Sequence, residues 1–226
     1  MSLVGRGLGL LKNGKFREAI KVLKNVIEED PKNIYALKGI GDAYRELGEL
    51  EKAIEYYKKV IWLDPNFFDG WYMLGRTYRE LGKTKIAVEF YKKALTIKPR
   101  EPRALRELAE LYHSMGSLDE AIRCYIEVLK VMEDPEIMHT LARLYMKKGD
   151  YQESIKLLQM ALSKKEDFVE AWIRLGTIYS ILGKYDEAVS CLEKALKFAP
   201  KNVDVMLSIA QVHYSAGRLD DAIKWY

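Results

Sequence analysis

The sequence is poor in the residues that membranes, disulfide frameworks and most catalysts require. No apolar run approaches the roughly 18 residues of a membrane span. Gly5, Arg6, Gly7 and Gly9 break up the N-terminal segment, so no secretory leader is expected there. Cysteine is limited to Cys124 and Cys191. They sit at the same place in a repeating pattern, two periods apart, well beyond the roughly 7 Å between Cα atoms that a disulfide spans. They are expected to be free thiols in a reducing compartment, and the expected location is the cytoplasm. Glutamine occurs only at Gln152, Gln159 and Gln211 while Lys, Glu and Ile abound, a bias of the hyperthermophile kind. The net charge of +4 is mild; it is compatible with an acidic partner and too small to indicate nucleic acid.

What is present is a period. Gly14, Gly48, Gly82, Gly116, Gly149, Gly183 and Gly217 recur every 34 residues, with one step of 33 between Gly116 and Gly149. Around Gly82, helical spacing places Trp71, Leu74, Gly75 and Tyr78 on one stripe and Ala87, Val88, Tyr91, Ala94 and Leu95 on a second. Gly82 suits the left-handed position that ends one helix and lets the next turn back, and Pro99 stops the second helix. Small residues recur at two further places. One column is Gly41, Gly75, Ala109, Ala142, Gly176 and Ala210; the other is Ala19, Ala53, Ala87, Ala121, Ser154, Ala188 and Ala222. Both fit the point where the two helices of a hairpin approach most closely. The period, the helix–turn–helix pattern and the small–small contact predict stacked helical hairpins, each burying its seam against the next.

Trp71, Leu74, Gly75, Tyr78, Ala87, Tyr91, Ala94 and Pro99 reproduce in full the pattern W-x2-L-G-x2-Y…A-x3-Y…A…P, and Trp172, Leu175, Gly176, Tyr179, Ala188, Leu192, Ala195 and Pro200 nearly do. On these residues the chain resembles the tetratricopeptide repeat, along essentially its whole length. The resemblance implies an all-α fold, a right-handed α-solenoid superhelix of stacked antiparallel helix pairs. The expected organisation is one solenoid over 1–226, with repeats at 1–33, 34–67, 68–101, 102–134, 135–168, 169–202 and 203–226. The first repeat is degenerate: Gly5, Gly7 and Gly9 each cost a helix roughly 1 kcal/mol against alanine, so its first helix is expected to fray or to need further chain upstream. In the shortened fourth repeat the proline moves forward, so that Asp134 caps and Pro135 opens the next helix. The seventh repeat stops at Tyr226 within its second helix, and the seam around Ala222, Ile223 and Tyr226 is expected to meet further chain or another copy by self-association.

Motifs that carry chemistry are missing. Gly82-Lys83-Thr84 imitates the tail of a phosphate loop, but Thr77 stands where that loop needs a glycine, and no strand precedes it. GRGLG near the N-terminus lacks the dinucleotide spacing. His113 and His139 lie on first helices of adjacent repeats, yet no ligand spacing accompanies them. No nucleophile, base and orienting group come together. No catalytic residue, metal or cofactor is therefore expected. Trp62, Trp71, Trp172 and Trp225 read as packing residues, as does His213.

The resemblance further implies that the first helix of each hairpin lines a concave groove holding a peptide. Transferred by position, the groove residues here are Tyr35, Lys38, Arg45, Tyr72, Arg76, Arg79, Arg103, Arg106, His113, His139, Arg143, Ile173, Leu207 and Tyr214. Repeats two to five are basic and aromatic; repeats six and seven are more apolar. Arginine forks favour carboxylates, so one reading is a partner segment acidic at its centre and apolar toward the C-terminal repeats. The other is that the arginines only offset Asp42, Asp69, Glu107, Glu110 and Glu136 on neighbouring helices. The chaperone-tail carboxylate clamp is not matched, because Asp42, Met73 and Glu107 occupy its positions. Nor is the asparagine ladder of the sugar-transferring members, since that column reads Gly39, Met73, Glu107, Thr140, Arg174 and Ser208. The expected function is a protein-interaction scaffold without catalysis of its own. Alternatives are the substrate-docking arm of a larger enzyme and, against the interspersed acids, single-stranded RNA binding.

Overall fold

The computed structural model describes residues 2–226. The described chain is built of helices: α1 (Leu3–Lys12), α2 (Phe16–Glu29), α3 (Ile34–Glu46), α4 (Leu50–Leu63), α5 (Phe68–Glu80), α6 (Thr84–Ile97), α7 (Pro102–Ser114), α8 (Leu118–Leu129), α9 (Pro135–Lys148), α10 (Tyr151–Lys164), α11 (Val169–Ile181), α12 (Tyr185–Phe198), α13 (Val203–Ser215) and α14 (Leu219–Trp225). They form two compact units, Met1–Gly116 and Ser117–Tyr226. In the first, α1 pairs with α2, α3 with α4 and α5 with α6, while α2 packs on α3, α4 on α5 and α6 on α7. In the second, α8 packs on α9, and α9/α10, α11/α12 and α13/α14 pair and stack in turn.

Within each unit the hairpins turn at their glycines. All seven periodic glycines have positive φ, from 71° at Gly82 to 86° at Gly149, and among the described residues no other residue type does. At Gly82 the turn is a Schellman motif: Lys83 N donates to Tyr78 O and Gly82 N to Arg79 O, each at 2.9 Å. The joints between hairpins are closed by side chains instead. Asn33 Oδ1 accepts from Ala36 N at 3.1 Å, Asn202 Oδ1 from Val205 N at 3.2 Å, and Asp134 Oδ1 from Glu136 N at 2.9 Å ahead of Pro135. Trp71 Nε1 donates to Pro65 O, and Trp172 Nε1 to Glu166 O, each at 2.8 Å, so these half-buried indoles pin the joint that precedes them.

The small columns mark the closest approaches. A Cβ on Gly41 would stand 2.6 Å from the Tyr57 ring, one on Gly75 2.8 Å from Tyr91, and one on Gly176 2.9 Å from Leu192. Tyr57 and Tyr91 are fully buried against these bare backbones. Ser154, in the alanine column, is also buried and satisfies its hydroxyl on Ala142 O at 2.8 Å.

Two expectations need correction. α1 is a continuous helix despite its three glycines: Ser2 caps it through Gly5 N at 3.1 Å, and Gly7 lets Leu23 of α2 approach to where a Cβ would be 2.5 Å away. Tertiary packing outweighs propensity there. Trp62 is not a packing residue. It lies on the outer side of α4 with 79% of its surface exposed, whereas Trp225 does pack on the core of α12 and α13.

Candidate functional site

The first helices of unit 1 (α1, α3, α5, α7) and of unit 2 (α9, α11, α13) each carry one side-chain row that the hairpin seam does not use. In unit 1 that row is a chain of ion pairs. Lys38 Nζ donates to Asp42 Oδ2 at 2.7 Å, and Asp42 Oδ1 accepts from the buried Tyr57 hydroxyl at 2.8 Å. Burial, then the Asp42 carboxylate, push the Tyr57 hydroxyl well above the ordinary phenol range. Arg45 reaches from α3 to Glu80 of α5 at 2.7 Å and also binds Glu46. Burial opposes its charge, but Glu80 and Glu46 more than restore it. Arg76 stands 4.0 Å from the same Glu80. Arg79 binds Glu107 and, at 2.8 Å, Glu110 on α7. Arg103 donates to Glu101 at 2.9 Å, lies 3.6 Å from Asp69, and covers the rings of Tyr72 and Phe68 at 5.2 and 5.6 Å.

These contacts bear on the expected groove residues one by one. Lys38, Arg45, Arg79 and Arg103 are held by carboxylates of their own unit. Tyr72 does not offer an open ring: it is buried, stacked on Phe68 at 5.7 Å and closed over by Arg103. Tyr35 is open, 63% exposed, with its ring edge-to-face on Phe67 at 6.0 Å. Arg106 lies exposed on α7, and His113 is half-buried in its last turn.

In unit 2 the row differs. His139 is half-buried, with its ring edge on Phe168 at 5.1 Å, and its Nε2 accepts from Arg174 Nε at 3.3 Å. Arg174 Nη1 turns to Met146 Sδ at 3.9 Å. Burial, followed by the positive charges of Arg174 and Arg143, lowers the His139 pKa to about 4, so the imidazole is neutral near pH 7. Arg174 is itself pushed below the ordinary guanidinium value by burial and by Arg143. Arg143 is exposed on α9. Ile173 is half-buried on α11, while Leu207 and Tyr214 on α13 are 43% and 59% exposed. Leu207 borders a 330 Å³ recess with Thr177, Ser180, Ile181, Ser208 and Gln211.

Arg174 escaped the expected groove residues. It sits in the column of Gly39, Met73, Glu107, Thr140 and Ser208, where it is the one basic member, and that is the signal the sequence offers. A larger recess, 690 Å³, lies away from this row, between α10, α11 and α12. Trp172, Leu175, Tyr179 and Cys191 line it, with Lys194 over the Trp172 ring at 4.5 Å. Burial raises the thiols of Cys124 and Cys191 to about 11, which leaves them poor nucleophiles. Among the described residues no helix is long and apolar enough to cross a membrane.

Comparison with solved structures returns the same hairpin architecture. YrrB, described as a TPR protein with an unusual peptide-binding site, aligns with a TM-score of 0.71 at 18% identity, over 82% of this chain and 96% of its own. The C-terminal part of a TPR repeat-containing protein from Cytophaga hutchinsonii aligns with a TM-score of 0.81 at 16% identity, over 98% and 93%. A chain of the Naa15/Naa10 assembly bound to HypK-THB aligns at 0.70 and 21% identity; the match takes in 99% of this chain and 35% of that one. Such identities speak for the fold alone. No curated protein matches by sequence. Sequence profiles of the tetratricopeptide repeat match residues 10–61, 68–101, 100–163 and 169–202, and a TPR repeat profile matches 41–82. With the glycine turns, the small–small seams and these matches running from α1 to α12, the chain belongs to the tetratricopeptide repeat family.

Proposed function

We propose that this protein is an interaction scaffold that holds a segment of a partner protein against its first helices. The observation that carries this is the contrast within the row. In unit 1, charged side chains are fixed by ion pairs between neighbouring first helices, whereas Tyr35 stands open at 63% exposure; in unit 2, Leu207 and Tyr214 stand open at 43% and 59%. A surface whose polar groups are already ordered has less entropy to lose on binding. Aromatic and aliphatic groups set among them supply contact area. YrrB, another protein with this fold, is described as having a peptide-binding site, an unusual one.

The test is site-specific photo-crosslinking. A benzophenone side chain placed at Tyr35, Leu207 or Tyr214 is compared with one at Trp62 or Ile86, which are exposed by 79% and 43% but lie on second helices. With a random peptide library, crosslinks are expected from the first-helix positions. Crosslinks confined to Trp62 and Ile86 would refute the assignment.

A further inference from the structure

We infer that Arg143 and Arg174 form a receptor for a single carboxylate, the side chain of an Asp or Glu lying two or three residues from an apolar residue in an extended partner segment. This rests on the preceding reading that the first helices hold such a segment, and specifies what they select in unit 2.

The departure from unit 1 is chemical. There, Arg45, Arg79 and Arg103 each reach a carboxylate on the neighbouring first helix. In unit 2, Arg174 occupies the corresponding space between α9 and α11, and its contacts there, His139 Nε2 and Met146 Sδ, are both uncharged. An imidazole that accepts through Nε2 from a guanidinium is in its neutral form, so it brings no repulsion of its own to an anion. Arg143, one helical turn after His139 on α9 and so on the same face, adds a second positive charge, whose field lowers both His139 and Arg174. Two guanidiniums, one of them half-buried, thus flank the His139 imidazole, and the contacts that hold Arg174 there are uncharged. Desolvation makes this arrangement costly when empty and favourable when one anion bridges it.

The surroundings select among anions. Glu136, held by Lys165 at 2.9 Å, and Glu170, one turn before Arg174 on α11, both act on His139. They disfavour a dianionic phosphate more than a carboxylate. Their presence also weighs against a polyanion. The apolar half of the signal lies further along the same helices. Thr177, about 4.5 Å of helix rise beyond Arg174, opens the 330 Å³ recess bounded by Ile181 and Leu207, and Ile181 is about 10 Å beyond. An extended chain covers about 3.3 Å per residue, so an acid at Arg174 sets an apolar residue two or three positions away into that recess.

The experiment uses the intact chain and five fluorescent peptides in a Gly/Ala/Ser background: Glu-x-x-Leu, Leu-x-x-Glu, and the better of these with Glu→Gln, with Leu→Ser or with phosphoserine in place of Glu. Anisotropy gives each Kd. The Gln and the Ser replacement are each expected to weaken binding at least tenfold. Arg143→Gln with Arg174→Met, which retains the packing volume, removes the preference for Glu over Gln; Arg123→Gln on α8 leaves it intact. Equal binding of the Glu and Gln peptides overturns the carboxylate receptor while leaving the scaffold reading standing. No binding by any of them overturns the receptor, and the crosslinking experiment then decides separately on the scaffold. A phosphoserine peptide binding tenfold tighter than the glutamate peptide also overturns the assignment. Because the Glu/Gln comparison is made on the unaltered protein, it holds even where a variant folds poorly.

Discussion

Replacing Gly41 with alanine adds one methyl group to the interior of the α3/α4 hairpin, and the outcome is set by Tyr57. The new Cβ would stand 2.6 Å from ring atom Cε1, 2.9 Å from Cδ1 and 3.1 Å from Cζ. The ring is fully buried, and its hydroxyl is tied to Asp42 at 2.8 Å, so it cannot swing aside without breaking that bond. Alanine returns about 1 kcal/mol of helix propensity. Against that stand about 1–3 kcal/mol for overpacking and about 1.5–3 kcal/mol if the hydrogen bond to the carboxylate is lost. The net expectation is a loss of about 2 kcal/mol in this hairpin. Stacked repeats do not unfold as one unit, so the readout is amide hydrogen exchange along α3 and α4. There, 2 kcal/mol corresponds to exchange about 30-fold faster. Tyr57→Leu in the same chain should restore much of the protection, because α9/α10 carries that combination already, with Ala142 and Leu158 both buried at the equivalent places. Exchange in Gly41→Ala alone as slow as in the parent chain would refute the reasoning.

Other glycines respond differently to the same kind of change. Gly9→Ala meets nothing within 4 Å and should slow exchange in α1, stabilising it by about 0.5–1 kcal/mol. Gly82→Val also meets nothing, but φ is 71°, so thermal denaturation should report a loss of about 1–2 kcal/mol. His139 makes unit 2 sensitive to acid. Its folded pKa of about 4 lies below its unfolded value near 6.5, so its contribution is complete above pH 6.5 and is lost as pH falls from 6.5 toward 4. Allowing for partial solvent screening, the loss is about 1–2 kcal/mol. Urea midpoints measured across this range should flatten in His139→Gln; an unchanged pH dependence would refute the assignment.

The turn glycines, the small columns and the Asp134–Pro135 joint were legible because each rests on backbone geometry that repeats with the period. α1 departs from the sequence expectation because propensity counts Gly7 only as a cost, whereas its value lies in admitting Leu23. The candidate site was less legible. Column position alone does not distinguish an arginine bound to a neighbour's carboxylate, such as Arg79, from one without, such as Arg174; that depends on which acids the adjacent helix presents and on side-chain rotamers. The burial of Tyr72 is hidden from its column for a similar reason, since Arg103 and Phe68 close over it from outside its own helix turn. Trp62 follows no seam position and is open to solvent, and nothing in the structure explains its size.

The proposal of a partner segment held on the first helices makes them the working surface. Amide chemical-shift mapping with the best Glu/Leu peptide tests it most directly. Shifts should gather on α9, α11 and α13, around Arg143, Arg174 and Leu207, and leave α10 and α12 unchanged. Shifts centred instead on the recess of Trp172, Tyr179 and Cys191 would contradict it.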